Sequence, residues 1–334
     1  MWHVIEADSG NELWSRVMTT LRGDTGVHSQ PSRLGDTREL LHAALTLRHP
    51  RRRWMTARRP PINPAFALAE IFWIMGGRRD AQFIRYFNRS LPKFVGPAPE
   101  LHGAYGYRLR RHFGVDQLED AFESLKANSH SRQIVLQIWD AKVDLPRQQG
   151  QPRDPDIPCN TQSILKVRGG KLEWLQVMRS NDAYLGLPYN VVQFTMLQEI
   201  IAGWLGIEPG EYHHVCDSLH LYERNLHTPD GEMTDDPPDM FALPKEQSDK
   251  VIAEMIAAIG GIVDERQTVA DIQRIVAQAR LPDAYRSALC VLSAEGMRRR
   301  HDSPSAAHLM ADMCTSRTFN RMWANWYARV KTAS

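Results

Sequence analysis

Residues 162–168 and 171–178 are two short runs of mixed apolar and polar residues joined by Gly169-Gly170. Two glycines between such runs mark a tight β-hairpin, because both turn positions favour positive φ. The chain is thereby committed to a sheet with an antiparallel pair. Further on, Phe194, Leu197, Ile201 and Trp204 recur at helical spacing, which predicts a buried helix over 190–204. Another helix opens at Asn63-Pro64. Asn63 is a good N-cap, and Pro64 sits where a missing N–H does no harm. Phe66, Leu68, Ala69, Phe72, Trp73 and Met75 make this helix strongly apolar, and Gly76-Gly77 end it. Glu70 lies in its middle. A carboxylate there is paired, exposed or chemically useful. Alternating helices and strands place the chain in the α/β class.

The remaining segments are less defined. Residues 1–32 read as a short helix followed by a polar loop, and 133–139 as a strand. Residues 229–244 are acidic, carry prolines and read as irregular. Residues 247–334 read as several helices. This divides the chain into a catalytic domain at 1–228 and a helical C-terminal extension at 229–334 packed on it. The formal net charge of +2 gives no reason to expect nucleic acid or an anionic membrane as partner. No apolar run reaches the length of a membrane span, and Met1-Trp2-His3-Val4-Ile5-Glu6 does not resemble a signal peptide. Cys159, Cys216, Cys290 and Cys314 are widely spaced, which argues against a zinc site or a disulfide framework. A reducing cytoplasm is the expected setting. Cys216, Cys290 and Cys314 read as small buried hydrophobes. His213 and His214 read as ordinary surface residues.

Seven short segments carry chemistry in order. They are Ser32-Arg33-Leu34-Gly35, Leu68-Ala69-Glu70-Ile71, His102-Gly103-Ala104-Tyr105-Gly106, Ser131-Arg132-Gln133, Pro158-Cys159-Asn160, Arg179-Ser180-Asn181-Asp182 running into Gly186-Leu187-Pro188-Tyr189-Asn190, and His220-Leu221-Tyr222. Each is weak alone. In this order, over residues 33–225, the chain resembles thymidylate synthase and its relatives, the pyrimidine-nucleotide hydroxymethylases.

The resemblance implies a mixed β-sheet with packed helices, dimerising through that sheet. It implies 5,10-methylenetetrahydrofolate as cofactor and a pyrimidine nucleoside monophosphate as substrate. Cys159 would add at C6 of the base, making C5 nucleophilic, with neighbouring arginines favouring the thiolate. Arg33, Arg132, Arg179 and Ser180 would hold the phosphate, Arg132 from the neighbouring subunit of a homodimer. Alone, each arginine would read as a solvated surface residue. His220 and Tyr222, sharing one face of a strand, would bind the sugar hydroxyl. Asn190 would read the base and leans towards uracil. Glu70 would be the general acid/base, and Tyr105 would order water and proton transfer at C5. Asp182 and Gly186 would meet the folate. No metal is implied.

Departures from the family matter as well. Gln133 follows Arg132 where a second arginine is usual, and Ser218-Leu219 precedes His220 in place of an aspartate and a small residue. Asn160 stands where thymidylate synthases carry histidine. Leu91 and Phe94 stand where they carry two tryptophans, and no closing apolar C-terminal tail is recognisable. The last two departures point to a wetter site, and so to hydroxymethylation rather than reductive methylation of dUMP. Thymidylate synthase proper is the alternative. A cysteine hydrolase would leave Arg179, Asp182 and Asn190 unexplained. A catalytically silent nucleotide-binding protein would have no use for both Cys159 and Glu70.

Overall fold

The computed structural model describes residues 2–332 apart from 33, 229 and 235, with only the backbone of Gln148. Among the described residues, seven strands form one sheet: β1 (His3–Ala7), β2 (His28–Gln30), β3 (Thr37–Leu47), β4 (Val135–Gln137), β5 (Asn160–Arg168), β6 (Lys171–Asp182) and β7 (Glu208–Tyr222). Their order is β1-β3-β7-β6-β5-β4, with β2 also paired to β3. The β1–β3 and β6–β7 pairs are parallel and the rest antiparallel, so the sheet is mixed. Gly169 and Gly170 close the β5–β6 hairpin at φ of 55° and 73°, a backbone that only glycine adopts without strain.

The two faces of the sheet differ. Leu136, Ser163, Gln176, His214 and Leu45 lie side by side across five strands, and all are buried. The next row along, Val135, Ile164, Leu175, His213 and Thr46, points the other way and stays partly or fully exposed. Among the described residues, the helices pack on the first face. The Gly10–Arg22 helix packs on β1 and β3, and the Leu187–Trp204 helix on β6 and β7. The Pro64–Met75 helix then packs on the Leu187–Trp204 helix. Asn63 caps it as expected, accepting from Phe66 N at 3.1 Å. Apart from Glu70 it is apolar all round, as suits a helix packed on both sides. Its outer side is covered by the helices Lys245–Val263, Asp283–Arg299 and Arg317–Thr332. Side chains of these C-terminal helices belong to the same apolar core as those of the sheet. No described helix is long and apolar enough to cross a membrane.

Two local readings need correction. Residues 1–32 contain β1 and β2 as well as a helix. β1 pairs with β3, some forty residues away, and leaves Val4 64% exposed, so no local pattern announces it. The strand expected over 133–139 shortens to Val135–Gln137, because Ile138 N and Trp139 N both turn to Thr161 O.

Candidate active site

Cys159 immediately precedes β5 and faces Arg179 on β6. Arg179 N donates to Cys159 O at 2.9 Å. The guanidinium holds the incoming loop through Pro158 O at 2.9 Å and Ile157 O at 3.1 Å, and it lies 3.8 Å from Cys159 Sγ. A fixed positive charge at that distance favours the thiolate. Cys159 is half-buried, whereas Cys216, Cys290 and Cys314 are buried, and burial pushes all three of those thiols up.

Two glycines fix the loop that carries Tyr105 near this thiol. A Cβ on Gly106 would stand 2.5 Å from the Ile74 backbone, and one on Gly103 would stand 2.8 Å from Asp156 O. Gly103 N also donates to Asp156 Oδ2 at 2.9 Å. The loop is thus pressed between the Pro64–Met75 helix and the segment leading to Cys159. Tyr105 comes to lie beside Cys159, Asn160 and Glu70, and burial pushes its phenol up. Glu70 Oε2 is buried with no hydrogen-bond partner among the described residues. Burial pushes the Glu70 carboxyl up to about 8, against a weaker downward pull from its hydrogen bond with Gln193. Such a carboxyl can take and return a proton near neutral pH.

The Leu187–Trp204 helix supplies the next groups. Asn190 Nδ2 donates to Gln193 Oε1 at 3.0 Å, so Gln193 links Asn190 to Glu70. Gly186 opens the helix where a Cβ would stand 2.7 Å from Asn181 Oδ1 and 3.4 Å from Asn190 Oδ1. Asp182 Oδ1 accepts from the amides of Tyr184 and Leu185 at 2.7 and 2.9 Å, which fixes the carboxylate. Burial pushes the Asp182 carboxyl up, against these amides and His220. Asp182 pairs with His220 across β6 and β7, and Ser180 Oγ lies 3.5 Å from His220 Nδ1. His220 and Tyr222 share a face, their rings 5.6 Å apart and edge-on.

Residues 35–257, more than half of the chain, match the family described as thymidylate synthase. The chain belongs to the thymidylate synthase family. It is 39% identical over 166 residues to the deoxyuridylate hydroxymethyltransferase of Pseudomonas phage M6, covering 49% of this chain and 46% of that protein. It is 34% identical over 196 residues to the deoxyuridylate hydroxymethyltransferase of Bacillus phage SP01, covering 55% and 50%. A putative thymidylate synthase of Methanothermobacter marburgensis is 28% identical over 230 residues, covering 68% of this chain and 96% of that protein. The chain spans about half the length of the two phage proteins.

The family pattern assigns two further residues to phosphate. Arg33 lies outside the described residues. Arg132 is exposed on the turn before β4. Leu165 N bonds Ile134 O, so Arg132 lies beyond the middle of β5, on the order of 20 Å from the Cys159 end at strand spacing. Within one chain it does not reach Cys159.

His214 is not the surface residue expected of it but is wholly buried. It lies 3.0 Å from Asn181 Nδ2 and 2.9 Å from the Tyr212 hydroxyl. Asn181 Nδ2 can only donate, so His214 Nε2 accepts and the ring is neutral. Burial lowers its pKa from 6.5 to about 3. Between these values the unfolded chain binds a proton that the native one does not, so stability is complete above pH 6.5 and declines as pH falls towards about 3. Replacing His214 by Gln should flatten the acid limb of a stability–pH curve measured by urea unfolding. An unchanged limb would rule this account out.

Gln193 and Gln176 lie outside the seven segments, yet they bond to Asn190 and Asn160. Gln193 carries one usable signal, standing three positions after Asn190 and hence on the same helix face.

Proposed function

We propose that the protein transfers a one-carbon unit from 5,10-methylenetetrahydrofolate to C5 of deoxyuridine monophosphate and releases it as a hydroxymethyl group. The observation that carries the chemistry is the convergence on Tyr105 of Cys159, with Arg179 beside it, and of the Glu70 carboxyl, whose Oε2 has no hydrogen-bond partner among the described residues. The choice of hydroxymethyl draws on the names of the two phage relatives and on Leu91 and Phe94, where thymidylate synthases carry two tryptophans.

In this reading the Cys159 thiolate adds at C6 and turns C5 into a nucleophile. Asn190 meets the base, with its amide nitrogen donating to Gln193. Arg179 and Ser180 serve the phosphate, with Arg33 in the same role, and His220 and Tyr222 the sugar. The donor set fits the folate. Asp182 offers a carboxylate oriented by two backbone amides, and the bare Gly186 backbone lets Asn181 and Asn190 close in beside it. The folate supplies the one-carbon unit at the oxidation level of formaldehyde. Glu70 and Tyr105 handle protons and water at C5.

A homodimer accords with the uncovered sheet face of Val135, Ile164 and Leu175 and with the distance of Arg132 from its own Cys159. In the dimer, Arg132 would serve the partner's phosphate site. The protein is read as acting in the cytoplasm on a free nucleotide, with neither nucleic acid nor membrane as partner. The archaeal relative's name favours a second reading, reductive methylation of the same nucleotide. Mass spectrometry of the products from dUMP, dCMP, UMP and CMP tests both. A hydroxymethylated uracil nucleotide with unoxidised tetrahydrofolate is the expected result. A methylated nucleotide with stoichiometric dihydrofolate would overturn it.

A further inference from the structure

Behind the catalytic cluster runs a chain of buried amides. Trp174, Gln176, Ser163 and Asn160 are all wholly buried. Trp174 Nε1 donates to Gln176 Oε1 at 3.2 Å, and Ser163 Oγ donates to the same oxygen at 2.6 Å. An indole N–H can only donate, so that atom of Gln176 is the oxygen. At the other end, Gln176 Nε2 lies 3.2 Å from Gln162 O, and a backbone carbonyl can only accept. The Gln176 amide is therefore oriented by chemistry at both ends. Its Nε2 donates to Asn160 Oδ1 at 2.8 Å, which orients Asn160 in turn. Asn160 Nδ2 is buried and makes no well-formed hydrogen bond among the described residues, and the neighbouring Tyr105 phenol is the group whose charged form the Asn160 side chain favours. A buried donor left unmet is costly, so a nearby oxygen is held to it.

We propose that the Trp174–Gln176–Asn160 chain makes Asn160 a donor to the Tyr105 oxygen and so turns the phenolic proton into the cleft, where it orients the attacking water. The inference rests on the hydroxymethyl reading. The water accepts from Tyr105 and donates to the Glu70 carboxylate. Its remaining lone pair attacks the exocyclic methylene carbon on C5. A C–O bond forms, the methylene π electrons pass into the ring enolate, and Glu70 takes the water's proton. Collapse of the enolate expels the Cys159 thiolate from C6 and restores the C5=C6 bond. No oxidant or reductant is consumed. Asn160 touches neither base nor folate in this scheme and is a positioning residue.

The test is a partition. The exocyclic methylene is also open to an added small thiol, so turnover with such a thiol gives a hydroxymethyl product and a thioether, separable by mass. The unchanged enzyme should give chiefly the hydroxymethyl product. Asn160→Leu removes the donor, and Gln176→Met releases the amide that orients it. Each should move the partition roughly tenfold towards the thioether, the worth of one oriented hydrogen bond. Asn160→His should restore it, since an imidazole can accept from Gln176 and donate to Tyr105 together. A merely structural defect lowers both products equally and leaves the ratio unmoved, which would overturn the proposal. So would Asn160→His partitioning like Asn160→Leu. If Gln176→Met does not fold, the Asn160 pair decides. A methylated nucleotide from the unchanged enzyme would overturn the hydroxymethyl reading and this inference together, and appears before any variant is made.

Discussion

Cys159→Ser should abolish turnover, by roughly 10⁴-fold or more, as loss of a covalent nucleophile does. The protein should stay folded. Arg179 keeps its bonds to the Pro158 and Ile157 carbonyls, and serine removes little volume from a half-buried position. The change should therefore separate chemistry from structure, with unfolding by heat unaltered while release of tritium from C5-labelled dUMP stops. Alkylation gives an independent reading. Cys216, Cys290 and Cys314 are buried, and burial holds the Cys290 thiol up at about 12. Iodoacetamide should therefore modify the native protein at Cys159 alone, and dUMP should protect it. Modification of another cysteine at a comparable rate, or residual turnover in the serine variant, would remove Cys159 from its role.

Glu70→Gln should pull activity and stability in opposite directions. Turnover should fall by about 10²- to 10⁴-fold, the usual cost of a lost general acid/base. Stability should rise. The native carboxyl holds its proton up to about pH 8, while an unfolded glutamate loses it near pH 4.5. Between those values the native state binds the extra proton, so stability falls as pH rises, and the full cost is reached above about 8. A neutral glutamine escapes that cost. The melting temperature of the variant should therefore exceed that of the unchanged protein above pH 8 and converge with it below the ordinary carboxylate range. The unchanged enzyme should also gain kcat/KM as pH rises through this same window, if Glu70 acts as base. A variant less stable than the parent at alkaline pH would mean that Glu70 is held by a partner, and that its burial is structural.

Much of this was legible before any coordinates. The β5–β6 hairpin was written in two glycines, because few other residues tolerate positive φ at both turn positions. The Pro64–Met75 helix was written in Asn63, Pro64 and an unbroken apolar run. The order of Pro158-Cys159, Arg179 to Asp182, Gly186 to Asn190 and His220 to Tyr222 was enough to name a family. β1 was not legible, since an edge strand earns its place by pairing with a segment far along the chain. His214 was misplaced because a histidine's burial depends on what faces it, here Asn181 and Tyr212.

The sequence by itself thus determined the local elements and the kinds of chemical group available, since turns, caps and periodicity are set by neighbours a few residues apart. Only the tertiary structure decided what those groups became. Desolvation by packing raised Glu70, the close contacts of Gly103 with Asp156 and of Gly106 with Ile74 fixed the loop that carries Tyr105, and a buried indole oriented an amide two partners away. Each of these depends on the distance between side chains remote in sequence, and on the exclusion of water that packing alone brings about.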